Sequence, residues 1–140
     1  MQEKVLLNNL IEAKRINKKL LFLLVDPDDF DETRFDFSTL QQVDALLVGG
    51  SLISSGNLNA CVKFFKQNVT TPIIIFPGTH SHISNTADAI LLLSLISGRN
   101  AELLIGQHVS AAFALKKSNL EILPTGYILI DGGKPTTVSY

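Results

Sequence analysis

The sequence is poor in the residues that build covalent or metal frameworks. Cys61 is the only cysteine among 140 residues, and tryptophan is absent. A single cysteine excludes an internal disulfide network and any cysteine-rich zinc site. Its apolar helical surroundings read as those of a small buried side chain. Charge is scarce as well: charged residues make up 18% of the chain, below the roughly one quarter usual in globular domains. With a net charge of −1 and no basic block, the electrostatic footprint of a nucleic-acid binder is missing. No apolar run approaches the ~18 residues of a membrane span. Lys18 and Lys19 ahead of an apolar run loosely resemble a secretion signal, but the run is too short and lacks a small-residue cleavage site. A soluble protein in a reducing, cytoplasmic setting is the expectation. There is no P-loop, no GxGxxG and no Ser/His/Asp set. His80 and His82 form an H-x-H pair with no evident third or fourth metal ligand, and His108 reads as a helix packing or surface residue.

What the chain has in quantity is apolar residues, 46% of the total with a mean hydropathy of +0.26. They gather in strand-length runs. The stretch from Leu20 to Phe30, LLFLLVDPDDF, is the clearest. Its lack of polar alternation predicts a strand, Leu20 to Val25, buried on both faces of a parallel sheet. Pro27 cannot donate to a ladder and disfavours helix at Asp26, so the strand should end with a carboxylate at its C-terminal end. In α/β proteins that end is where ligands bind.

The rest of the chain continues the alternation. An amphipathic helix is predicted from residue 2 to about 17, with Leu6, Leu10 and Ala13 on one stripe beside Val5 and Ile16. The acidic stretch 28–36 suits a loop and helix start on a solvated face. Further strands are predicted at Ala45 to Val48, Ile73 to Phe76, Ala89 to Leu93 and Tyr127 to Ile130. A helix from Leu58 to Val69 should bury Cys61, Phe64 and Phe65. Another should run from an Asn100 cap to about Lys117, with Lys116 and Lys117 at its negative end. Residues 78 to 89 leave no room for a full crossover helix, so that connection should be irregular. Strands alternating with helices imply one parallel sheet in a single α/β domain spanning 1–140.

Four of the five strands end in polar or glycine-bearing residues: Asp26-Pro27, Gly49-Gly50-Ser51, Pro77-Gly78-Thr79 and Asp131-Gly132-Gly133. In a parallel sheet these fall on one rim. Glycines let backbone N–H groups approach an anion, and a following helix start adds its dipole. Asp26 and Ser51 come from adjacent strands, so their oxygens are candidates to share one hard cation. Magnesium takes one or two protein oxygens and completes its shell with water and substrate phosphate.

The segments LLVDPDD (23–29), DALLVGGS (44–51), TPIIIFPG (71–78), ADAILLLSLIS (87–97), ELLIG (102–106) and EILPTGYILI (121–130) together resemble the geranylgeranylglyceryl phosphate synthase family, including its bacterial PcrB-type members. They occur in the family's order and cover most of residues 18 to 140. The resemblance implies a (β/α)8 barrel, irregular where its third helix would stand. It also implies transfer of a polyprenyl group from its diphosphate to sn-glycerol 1-phosphate, with magnesium. By resemblance, Asp26 and Ser51 match the two protein magnesium ligands. Gly49, Gly50, Pro77, Gly78 and Tyr127 are the substrate-binding candidates. The prenyl tail would lie in an apolar groove walled by residues 77–85 and by Tyr127.

The chain departs from the family pattern at its end. Eight strands need about 250 residues, and five are present, so the expectation is an incomplete barrel formed by the N-terminal part of a longer protein. The Tyr-x-Glu and glycine loops that hold glycerol phosphate in the family lie downstream, and no catalytic base is expected within these residues. Exposed edge strands recruit other chains, so self-association or pairing with the missing C-terminal half is expected. Peripheral membrane contact follows from a lipid substrate, not from any basic amphipathic helix. The alternative is a non-catalytic, oligomerising half-barrel that keeps magnesium and diphosphate binding.

Overall fold

A computed structural model describes residues 4–130. One five-stranded, all-parallel sheet runs in the order β1-β2-β3-β4-β5, with strands at Phe22–Val25, Ala45–Gly49, Ile73–Phe76, Ala89–Leu95 and Glu121–Tyr127. Helix α1 (Val5–Arg15) precedes the sheet. A 3-10 turn at Glu32–Arg34 and the short α2 (Phe37–Leu40) link β1 to β2. Helix α3 (Leu58–Asn68) crosses from β2 to β3, and a π turn at Glu102–Gly106 leads into α4 (Gln107–Lys117) before β5. Sequential order with parallel pairing is that of a barrel wall, opened between β1 and β5.

The two faces of the sheet carry separate cores. Leu46, Val48, Ile73, Ile75 and Ile90 pack outward against Cys61, Val62 and Phe65 of α3 and Ala111 and Leu115 of α4. Ala45, Ile74, Ala89 and Leu123 alternate with them and face inward, where Leu6, Leu7 and Leu10 of α1 close the floor. The alternation follows from the period of two along a strand. Glu121, only 8% exposed, fixes the floor helix: its two carboxylate oxygens accept the N–H groups of Leu6 and Leu7 at 2.9 and 2.7 Å. These are first-turn donors without intrahelical partners.

Two aspartates do a matching job at the start of the even-numbered strands. Asp44 accepts the Leu21 N–H at 2.8 Å, and Asp88 accepts the Ile73 N–H at 2.8 Å, each tying the preceding strand to its own. Lys18 and Lys66 accompany them, at 3.5 and 2.8 Å. The acidic stretch is divided in its purpose. Asp31 and Asp36 cap the 3-10 turn and α2 through the Thr33 and Ser38 N–H groups. The phenylalanines around them, Phe30, Phe35 and Phe37, pack their rings on Phe64 and Phe65 of α3.

Several expectations are corrected. β1 is not buried on both faces: Leu24 is 52% exposed, and Leu21 and Leu23 are exposed too, because β1 is an edge strand. β5 spans Glu121–Tyr127, so 128–130 lie beyond it. β5 contains Pro124 and Gly126, and the Glu121 N–H points to β4 by donating to the Asp88 carbonyl. Position 124 therefore faces the open edge, where the missing donor of proline disturbs no ladder. β4 runs two residues further than expected, to Leu95. In α1, Val5 and Ile16 are exposed and Leu7 takes the inward place. Phe64 is only partly buried. The motif Asp131-Gly132-Gly133 lies outside the described residues.

Candidate functional site

The C-terminal ends of the strands make the rim. Val25 is level with Val48, so Asp26 stands beside Gly49, one residue past the ladder. Pro27 stops the strand and the chain turns at once: Asp26 Oδ1 accepts the Asp28 N–H at 3.0 Å, and the Asp26 carbonyl accepts the Asp29 N–H at 3.2 Å. The half-buried carboxylate lies over Gly50, where an added Cβ would sit 2.9 Å from Oδ2. Ser51 follows directly and is exposed at the mouth of a cleft. The two candidate metal ligands are thus brought to neighbouring positions on the rim, with Gly50 between them.

The glycines here serve the contacts between rim loops. Gly49 has φ +146°, and a Cβ on it would run into the Phe76 carbonyl. A Cβ on Gly78 would meet the carbonyls of Gly50 and Ser51. The loops after β2 and β3 therefore touch backbone to backbone. Asp28, which the residue pattern did not single out, clamps the next loop. Its carboxylate accepts the N–H groups of Ser54 at 2.8 Å, Ser55 at 3.0 Å and Gly56. Those bonds, from Ser54 first and then Gly56 and Ser55, hold its carboxyl below the usual range. The only signal was a second acid two residues after Asp26, and its partners lie 26 to 28 positions away. Beneath the rim, burial first and the charge of Asp26 second push the Cys61 thiol up to about 12.

Beside this polar rim a largely apolar cleft opens. β3 and β4 pair through only Ile74↔Ala89 and Ile75↔Ile90, whereas β4 and β5 stay paired from Ala89 to Leu95. Above Ile90 the two strands part. The irregular residues 77–88 and α4 flank the gap, which encloses ≈ 750 Å³ counted with its open mouth. Phe76, Leu91, Leu93, Leu95, Leu103 and Tyr127 line its apolar part, while Ser51, Gly78 and Thr79 lie at the polar end. Tyr127 meets Phe76 edge to face, ring centres 6.2 Å apart. Pro77, Gly78 and Tyr127 thus border the cleft, whereas Gly49 and Gly50 sit behind it in the rim.

The histidines are tied into the walls. Gln107 Oε1 accepts the His80 N–H at 2.7 Å, joining the irregular segment to α4. His82 Nδ1 accepts the Gly78 N–H at 3.2 Å, which leaves its proton on Nε2, and burial lowers its pKa. His108 Nε2 donates to the Leu93 carbonyl at 2.7 Å, a packing role as expected. Among the described residues no group of three or more His, Cys, Asp or Glu is arranged for a metal ion. No helix there is long and apolar enough to cross a membrane.

A sequential parallel sheet with crossover helices, a helix-plugged floor and a cleft on the C-terminal rim is the architecture of part of a (β/α)8 barrel. The fold matches crystallised barrels. The (S)-3-O-geranylgeranylglyceryl phosphate synthase of Thermoplasma acidophilum, solved with sn-glycerol-1-phosphate, superposes with a TM-score of 0.81 at 29% identity, covering 95% of this chain and 54% of that one. In sequence, the chain is 49% identical over 137 residues to the geranylgeranylglyceryl phosphate synthase of Chitinophaga pinensis, covering 95% of this chain and 54% of that protein. It is 40% identical over 129 residues to that of Pyrococcus furiosus, covering 89% and 51%. The PcrB family profile matches residues 13–139, and the chain belongs to the PcrB family. It spans about half the length of the relatives it matches.

Proposed function

We propose that this chain supplies the prenyl-diphosphate side of a geranylgeranylglyceryl phosphate synthase-like prenyltransferase, which joins a polyprenyl group to sn-glycerol 1-phosphate through an ether. The observation that carries the reading is the apolar cleft ending at Ser51 and Gly78, next to the carboxylate of Asp26. An isoprenoid chain needs a long apolar wall, and its diphosphate needs a cation and backbone donors at one end. The cleft and the rim offer these in adjoining places.

The rim residues fit magnesium by their chemistry. Asp26 gives one oxygen to the Asp28 N–H and keeps the other turned toward Gly50, and Ser51, the residue after Gly50, adds hard oxygens. A set this small suits magnesium, which takes most of its shell from water and substrate phosphate. Asp26 and Ser51 would hold the ion, and the bound ion would supply charge neutralisation for a departing diphosphate. In this reading Asp28 keeps the loop after β2 in place through three N–H bonds, and Phe76 and Tyr127 exclude water from the prenyl tail. The acceptor side, with its glycerol phosphate, belongs to the part of the family beyond these strands.

The test is direct. The complete gene product is incubated with labelled sn-glycerol 1-phosphate and prenyl diphosphates of several lengths. A magnesium-dependent ether product is expected, and folded protein that yields none at any length refutes the reading. A second reading rests on the same cleft and rim: a half-barrel that binds magnesium and diphosphate without turnover. It predicts magnesium-dependent pyrophosphate binding by this chain in calorimetry, lost in Asp26→Ala, with no turnover.

A further inference from the structure

Where β3 and β4 part, backbone groups along the gap are taken up by side chains. On the β3 lip of the cleft, Gln107 Oε1 accepts the His80 N–H at 2.7 Å, and His82 Nδ1 accepts the Gly78 N–H at 3.2 Å. On the β4 lip, His108 Nε2 donates to the Leu93 carbonyl at 2.7 Å, and Ser94 Oγ donates to the Leu104 carbonyl at 3.3 Å. Gln107 and His108 are neighbours at the start of α4, directly after the π turn, an irregularity that recurs at functional sites. One end of one helix therefore grips both lips.

The two grips differ in kind. His108 is half-buried, and with Ser94 it fixes the start of α4 to β4 at two points. The other grip is one amide oxygen at the surface: Gln107 Oε1 also lies 3.2 Å from His80 Nδ1, and His80 is exposed. Residues 77–82 belong to no strand or helix, and the chain is buried again only at Ser84 and Ala87. This lip can leave α4 without dismantling the core beneath it. We infer that Gln107 is a positioning residue for the ligand of the cleft: it latches the 77–82 lip to α4 and sets how long an apolar chain is retained. The inference rests on the proposed reading of the cleft as a prenyl site. With the latch made, the cleft is bridged between His80 and Gln107, over the apolar lining of Leu91, Leu93 and Leu103. With it broken, water enters and the chain escapes between the lips. What position 107 must supply is an acceptor oxygen, neither a charge nor bulk alone.

The rate of ligand release tests it. The complete gene product is loaded, with magnesium, with tritiated geranylgeranyl thiodiphosphate, an unreactive diphosphate analogue, and chased with the unlabelled analogue. Gln107→Leu keeps the bulk and removes the acceptor, and should speed release about 2–10-fold, the worth of one net hydrogen bond. Gln107→Glu keeps an acceptor oxygen and should release near the wild-type rate. His80→Ala keeps the backbone N–H, which makes the shorter bond, and should also stay near wild type. In steady state, Gln107→Leu should raise KM for the prenyl diphosphate by a similar factor and leave kcat of the folded protein in place, a split that a general loss of structure does not produce. Equal release from wild type and Gln107→Leu overturns the inference and leaves the prenyl reading standing. A Gln107→Glu protein that releases as fast as Gln107→Leu overturns it too, as does a fall in kcat with release unchanged. A wild type that binds no analogue overturns the prenyl reading and this inference with it.

Discussion

Replacing Gly50 by alanine is the sharpest probe of the rim. The three atoms nearest to an added methyl all belong to the Asp26 carboxylate, the closest being Oδ2 at 2.9 Å. Ordinary contact begins at about 3.4 Å, so the carboxylate must yield by about half an ångström. Gly50 does not need the left-handed backbone that Gly49 adopts, and alanine fits its conformation. The displacement is therefore local. It pulls Asp26 away from the Asp28 N–H now bonded at 3.0 Å, or holds it off its preferred rotamer at roughly 0.5–1.5 kcal/mol. Moving a ligand through its supporting neighbours typically costs about 10–100-fold in metal affinity or activity. Magnesium titration of prenyl transfer by the complete gene product should show that loss, with a thermal midpoint close to wild type. Gly49→Ala is the contrast: with φ +146° and the Phe76 carbonyl in the way, it should unfold the rim rather than retune it. A Gly50→Ala protein with unchanged magnesium dependence and unchanged rate would show that Asp26 holds no metal.

Three further outcomes follow from the packing. Glu121→Ala removes the acceptor for two N–H groups of α1, and urea unfolding should register a loss on the order of 2–4 kcal/mol, with Glu121→Gln retaining part of it. Ser84→Ala should be neutral or stabilising by up to about 1 kcal/mol, since its hydroxyl is buried and makes no hydrogen bond; a clear drop in thermal midpoint would contradict that. Asp28, Asp31, Asp36 and Asp44 all have carboxyls held below the ordinary aspartate value by N–H or side-chain donors. The native state then binds fewer protons than the unfolded chain. Their stabilisation is complete above the unfolded value and is lost as pH falls through 3.8 toward the lower native values. Asp28→Asn should flatten the acid side of the stability–pH curve, and a slope identical to wild type would refute the clamp.

Strands β2 to β4 were legible because their runs of Leu, Ile and Val have both faces covered. β1 has the same composition and a different environment: nothing in Leu23 or Leu24 says that no strand lies alongside. β5 begins at Glu121 and not at Tyr127: proline and glycine are poor strand residues in general, while at this position Pro124 and Gly126 lie at an open edge. The carboxylate on the rim could be anticipated from Asp26-Pro27 alone, since proline both ends the strand and fixes the turn. Asp28 could not. Its meaning depends on three amide groups brought to it by folding, and no local spacing encodes them. The glycines were anticipated as donors to an anion, whereas the structure shows backbones pressing against each other at Gly49 and Gly78.

The cleft owes its existence to a ladder that stops after two residue pairs. A hole made by trimming side chains can be refilled by a single larger residue, but this one cannot. Substituting Leu91 or Leu93 alters the bore and leaves the channel in place, because the channel lies between backbones. The cost of parting two strands is that polar groups of β4 lose their neighbours, and the Leu93 carbonyl has found one in His108 on the next helix. Variation in the lining side chains can then alter the width and depth of the opening, over a frame that such variation does not disturb. Closing the opening would take a different connection between Phe76 and Ala89, long enough and regular enough to let the two strands zip to the rim.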